Sequence, residues 1–193
     1  MASEVQVCNL ALAKIGDQQI ISLTENSKAG RLCNLVYASM RDAVLSSHPW
    51  NFAVARQALA LDSTAPAYEF TSQFALPVDF LRLLKTDMVD TAKFVLEGKY
   101  ILCDADTLII KYIRQETDPE AFDFLFIETL AARIAAELAI SLADSRTMSV
   151  DLFNLYGTKL SEARTVDATE GTPDDITADT WLNSRISFVG TGV

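Results

Sequence analysis

The sequence predicts an α+β fold, mainly a bundle of four helices, with an inserted antiparallel β-rich subdomain and an extended C-terminal tail. Three observations predict it. Apolar residues recur at helical spacing near both ends of the chain, in 1–50 and again in 118–167. Between them, in 51–117, the pattern gives way to short apolar runs separated by turn-forming residues. After Asp167 neither period persists, so 168–193 reads as an extended segment.

The first helix is expected to start at Ser3, a side chain suited to accept from the free N–H groups of a first turn. Val5, Cys8, Leu12 and Ile15 mark its apolar face, and Gly16 ends it. A short link through Ile20, Ile21 and Leu23 leads to a longer helix marked by Leu32, Cys33, Val36, Tyr37, Met40 and Val44. Asn26 and Ser27 both suit its cap. Its end falls near Ser47 or His48, because Pro49 disfavours helical geometry in the residue before it.

Five runs then have strand character: Arg56–Asp62, Tyr68–Ala75, Lys93–Leu96, Tyr100–Cys103 and Leu108–Ile113. Glu97-Gly98-Lys99 and Asp104-Ala105-Asp106-Thr107 are turn-like breaks, so the last three runs are expected to form an antiparallel meander. The stretch LPVDFLRLLKTD between them reads either as a brief helix opened by Pro77 or as an irregular edge segment.

Helical spacing returns after Asp118-Pro119. Ile127, Leu130, Ala131, Ile134, Leu138 and Leu142 form one stripe, with Arg133 and Glu137 opposite. The run AARIAAELA favours helix and lets a neighbouring helix approach closely. Asp144 to Thr147 is a break. Leu152, Leu155, Tyr156, Leu160 and Ala163 mark a fourth helix, in which Gly157 is a weak point.

At 193 residues the chain can bury one sizeable core. Half its residues are hydrophobic and 22% charged, a globular composition. The net charge of −10 repels phosphate backbones and argues against binding nucleic acid by charge neutralisation. Cys8, Cys33 and Cys103 are odd in number and widely spaced, which indicates neither a zinc site nor a disulfide framework but small buried apolar residues. No signal peptide is expected, since MASEVQVC lacks a basic stretch followed by an apolar one. Phe122 to Ala143 is broken by Glu128, Arg133 and Glu137, so it reads as a core helix and no membrane association is expected.

No catalytic, metal or cofactor site is expected. His48 is the one histidine, and Ser46 and Ser47 precede it on the same helix end. Sequence neighbours there do not form a hydrogen-bonded relay, and no GxSxG elbow exists. His48 is expected instead to be a helix-end residue packed by Trp50. Paired carboxylates occur in any acidic chain and carry little signal without a measured separation. No Gly-rich phosphate loop is present.

The tail is acidic first, at Asp167, Glu170, Asp174, Asp175 and Asp179, with no basic residue before Arg185. It then turns apolar. Trp181, Leu182, Arg185, Ile186 and Phe188 are expected to dock on a partner, large aromatic anchors being the groups that carry binding energy.

Taken in order, VCNLALAKIGDQQIISL, NSKAGRLCNLVYASMRDAVLSSHPWNFAVARQALAL, FALPVDFLRLL, GKYILCDADTLIIKYI and FDFLFIETLAARIAAELAISL resemble the tail tubular protein A family. These are the adaptor, or head–tail connector, proteins of short-tailed phages. The likeness spans residues 4 to 168, and HPWNFA at His48 to Ala53 is its most specific part. The resemblance implies a virion protein assembled in the host cytoplasm, not an enzyme. It implies a homo-oligomeric ring, typically dodecameric, docked under the portal protein and above the tail nozzle protein. Double-stranded DNA would pass through such a ring without specific binding. His48, Pro49, Trp50 and Phe52 would then be a structural junction between bundle and sheet. Two rival classes are a tail-associated hydrolase of envelope polysaccharide and a cytosolic helical protein-binding module.

Overall fold

The computed structural model describes residues 3–89 and 92–170. Its helices begin and end on local chemistry. In α1 (Glu4–Ile15) the Ser3 hydroxyl accepts from the Gln6 N–H at 3.1 Å. Gly16, at φ +83°, closes it with its N–H on the Leu12 carbonyl, 2.9 Å. The Asn9 side chain then holds both backbone groups of Ile20, at 2.9 and 2.8 Å, and folds the link back onto α1. Of the two candidate caps of α2 (Lys28–Ser47), Ser27 does the work, accepting from the Gly30 N–H at 2.9 Å. The helix ends at Ser47, and His48 is extended ahead of Pro49.

The central helix is α3 (Phe124–Ala143). It is buried on nearly every side and packs against α1, α2 and α4. Ala131, Ala132, Ala135, Ala136 and Ala139 are the small residues that permit this. Asp144, at φ +49°, turns the chain, and Ser145 caps α4 (Arg146–Thr169) by accepting from Met148 N–H at 3.2 Å. On the outward side of α3, the Arg133 guanidinium lies over the rings of Phe153 and Tyr156 on α4, 5.0 and 5.5 Å from their centroids. The last helix runs two residues past its expected end at 167.

Among the described residues, six strands form two antiparallel sheets: β1 (Val54–Ala58), β2 (Ser72–Ala75), β3 (Phe80–Thr86), β4 (Phe94–Glu97), β5 (Tyr100–Cys103) and β6 (Ile109–Arg114). The inner sheet has the order β1-β6-β3 and the outer sheet β2-β5-β4. The inner sheet turns Ile113, Leu81 and Leu84 toward the helical core. Its other face contributes Ile110, Tyr112, Phe80 and Leu83 to a second apolar cluster with Phe74, Ile101 and Cys103 of the outer sheet. Layers therefore run from bundle to inner sheet to outer sheet.

Two expectations are corrected here. The stretch LPVDFLRLLKTD is not a brief helix; its centre is β3, an edge strand of the inner sheet with irregular pairing, which agrees with the reading as an irregular edge segment. Register shifts against β6 between Phe80 and Arg82 and between Leu83 and Lys85 put Leu81 and Leu84 on one face. An alternating pattern is thereby turned into one that looks helical. The expected meander also fails. Only β4 and β5 form a hairpin, while β6 crosses to the inner sheet and pairs with β1 and β3. Because β6 has apolar side chains on both faces, it is buried best between two layers. The run Arg56–Asp62 likewise divides: its start lies in β1, and Leu61 bridges to Phe74 of the outer sheet.

Candidate functional site

The stretch His48 to Ala53 sits where the ends of α2 and α4 meet the inner sheet. A helix leaves its last carbonyls without intrahelical partners. At the end of α2 they are supplied from three directions. The Val44 carbonyl accepts from the Trp50 indole N–H at 3.0 Å and from the Ser47 hydroxyl at 2.7 Å. The Ser46 carbonyl accepts from Arg82 of β3 at 2.9 Å, and the Ser47 carbonyl from Arg164 of α4 at 2.7 Å. Both guanidinium groups also face the negative end of the helix dipole. Pro49 makes the chain turn here, and Asn51–Ala53 forms one 3₁₀ turn leading into β1.

Trp50 is fully buried under this turn. Its ring meets Phe126 edge-on at 5.1 Å and His48 edge-on at 4.9 Å, as expected for a histidine packed by Trp50. Phe52 extends the cluster to Phe122 and Phe126, at 5.7 and 5.1 Å. Such aromatic pairs contribute about 0.5–1.5 kcal/mol each beyond the area they bury. Trp50 and Phe52 thus pack the start of the insert on the base of α3, and His48 ties it to α4.

Asp167 completes the junction, and the sequence did not reveal its part. Its carboxylate accepts from the His48 Nε2–H and from the Asn51 backbone N–H, both at 3.0 Å. Its carbonyl accepts from the Asn51 side chain at 2.8 Å. A carboxylate in the last turn of a helix opposes the dipole, so the two donors to it offset a cost. The available signal was its spacing, since Asp167 follows Ala163 by four residues and continues the buried stripe of α4. Its position at the start of the acidic run hid that role.

The same contacts settle how His48 is used. Its Nε2 is committed to Asp167, and the neighbouring Ser47 hydroxyl donates to the Val44 carbonyl. Serine and histidine are therefore not joined in a relay.

Beside the junction lies a cleft of about 180 Å³ lined by Trp50, Asp123, Phe124, Val166, Asp167 and Glu170. Burial, then the charges of Glu170 and Asp167, holds the Asp123 carboxyl above the ordinary aspartate range. Asp123 precedes α3 without capping it through its side chain. Among the described residues, no group of three His, Cys, Asp or Glu is arranged to hold a metal ion. The three cysteines are buried free thiols. The adjacent Cys33, together with burial, pushes the Cys8 thiol up, and burial raises Cys103. No helix among the described residues is long and apolar enough to cross a membrane.

The expected docking residues Trp181, Leu182, Arg185, Ile186 and Phe188 lie outside the described residues. Compared with known proteins, the chain matches no family model and no curated sequence.

Proposed function

We propose that this protein is a structural subunit of a short-tailed phage particle, an adaptor whose ring joins the portal to the tail nozzle. The observation that carries the proposal is the use made of His48 to Phe52. The stretch most specific to the resemblance is spent on internal joints: ring packing, capping of α2 and anchorage of α4. That is the role a packing motif has in a subunit whose task is to hold a shape. The arrangement of helices around a β-rich insert supports the same reading. A closed ring of such subunits uses heterologous contacts, with two different complementary faces on each copy. The net charge of −10 suits a channel that lets packaged DNA slide past.

In this proposal the segment 171–193 reaches the portal or a neighbouring subunit through Trp181 and Phe188. Co-sedimentation with portal rings tests it. The full chain should travel with the portal, and a chain ending at Glu170 should fold but remain behind. A truncated chain that still sediments with the portal removes the tail from the account. The cleft at Asp123 is the one observation that favours the hydrolase rival, since a raised carboxyl beside Glu170 suits general-acid chemistry. Cleavage of envelope polysaccharide by the protein, lost in Asp123→Asn and Glu170→Gln, would replace the adaptor reading with that one.

A further inference from the structure

Among the described residues, β4 is the open edge of the outer sheet, and every residue of it is exposed. Phe94, Val95 and Leu96 retain 41%, 38% and 46% exposure. An apolar edge of this kind is a template for strand pairing. We propose that β4 pairs antiparallel with β4 of a second copy, joining two outer sheets into one of six strands across a two-fold axis.

The backbone fixes which groups are on offer. Glu97 and Tyr100 close a two-residue hairpin, with Gly98 at φ +57°, so that pair exchanges its hydrogen bonds. Val95 with Leu102, two residues along, does the same. On the far side of β5 the Leu76 N–H donates to the Lys99 carbonyl, which agrees with this phase. The N–H and C=O groups of Phe94 and Leu96 therefore point away from β5, toward the open edge.

One register uses both residues. Setting Phe94 opposite Leu96 of the second copy pairs all four outward groups and places Val95 opposite its own counterpart. The same register sets Lys93 opposite Glu97, twice, in the positions where side chains approach most closely. Shifting by two residues in either direction loses both Phe94–Leu96 pairings and sets each charge against an uncharged or like partner. Phe94 and Leu96 lie in register with the buried Cys103 and Ile101. The new strand would thus continue an apolar row that now ends at solvent. A single cyclic ring has heterologous neighbours, so this dimer belongs to the free protein. It stands or falls independently of the adaptor role.

Sedimentation equilibrium of the full chain across a concentration series tests it. The expected result is a reversible monomer–dimer equilibrium. Phe94→Pro removes an N–H that the β4–β5 ladder does not use and should leave a folded monomer. Lys93→Glu and Glu97→Lys should each weaken the dimer about ten-fold, because two attractive pairs become repulsive. Mixing those two variants should restore it as a heterodimer, since every pair is then again opposite in sign. A wild-type chain monomeric at all concentrations would overturn the proposal. So would a dimer that survives Phe94→Pro, or charge variants that do not recover on mixing. If Phe94→Pro fails to fold, the mixing experiment decides alone.

Discussion

Replacing Asp167 with alanine removes the one carboxylate shared by α4, His48 and Asn51. The side chain is almost fully buried and accepts two hydrogen bonds, at 3.0 Å each. Hydrogen bonds to a charged group contribute about 1.5–3 kcal/mol each, and a stranded backbone donor costs about as much as the bond it loses. Against this, removing an acidic group from the end of α4 relieves roughly 0.3–1 kcal/mol of unfavourable dipole interaction. The net expected loss is about 2–6 kcal/mol. For a chain of this size that lowers Tm by roughly 4–24 °C. Urea unfolding of Asp167→Ala should show the midpoint falling with an unchanged slope. A cycle with His48→Ala should show coupling, since the two residues share a bond. An Asp167→Ala protein within about 0.5 kcal/mol of the parent, the range of neutral surface changes, would refute the reasoning.

Three further outcomes follow from the same geometry. Trp50→Ala should cost about 3–5 kcal/mol. Trp50→Phe should cost much less, because the Val44 carbonyl keeps the Ser47 hydroxyl as donor; equal losses in chemical denaturation would contradict this. Asp123 has a raised folded pKa, so its contribution to stability is complete below the unfolded value and lost as pH rises through the folded one. Asp123→Asn should therefore raise Tm at neutral pH, with a gain that disappears on acidification; a gain that grows toward acid would be the wrong sign. Cys8 and Cys33 are wholly buried, with Cys8 held protonated. A thiol reagent should label them only at the rate of unfolding, and prompt labelling of the native protein would contradict the packing.

The helix ends were legible because their causes are local. Ser3, Gly16, Ser27 and Pro49 each act on backbone groups within a few residues of themselves. The stripes of α3 and α4 were legible for the same reason. What failed was long-range. The two register shifts of β3 depend on β6, about 30 residues away by the antiparallel pairing they belong to, and they disguise a strand as a helix. The choice of β6 to cross between sheets is made by what covers its two faces, which a run of Leu108–Ile113 does not state. At the junction, the contact of His48 with Trp50 could be read from adjacency. Asn51 and Asp167 could not, since they meet only when α4, packed against α3, brings its last turn to the end of α2.

The proposed docking of this protein as a ring beneath a portal is tested most directly by negative-stain imaging of the full chain mixed with portal rings. The account predicts an added tier on the portal, with the rotational symmetry of a closed ring. Bare portals at saturating protein would contradict it.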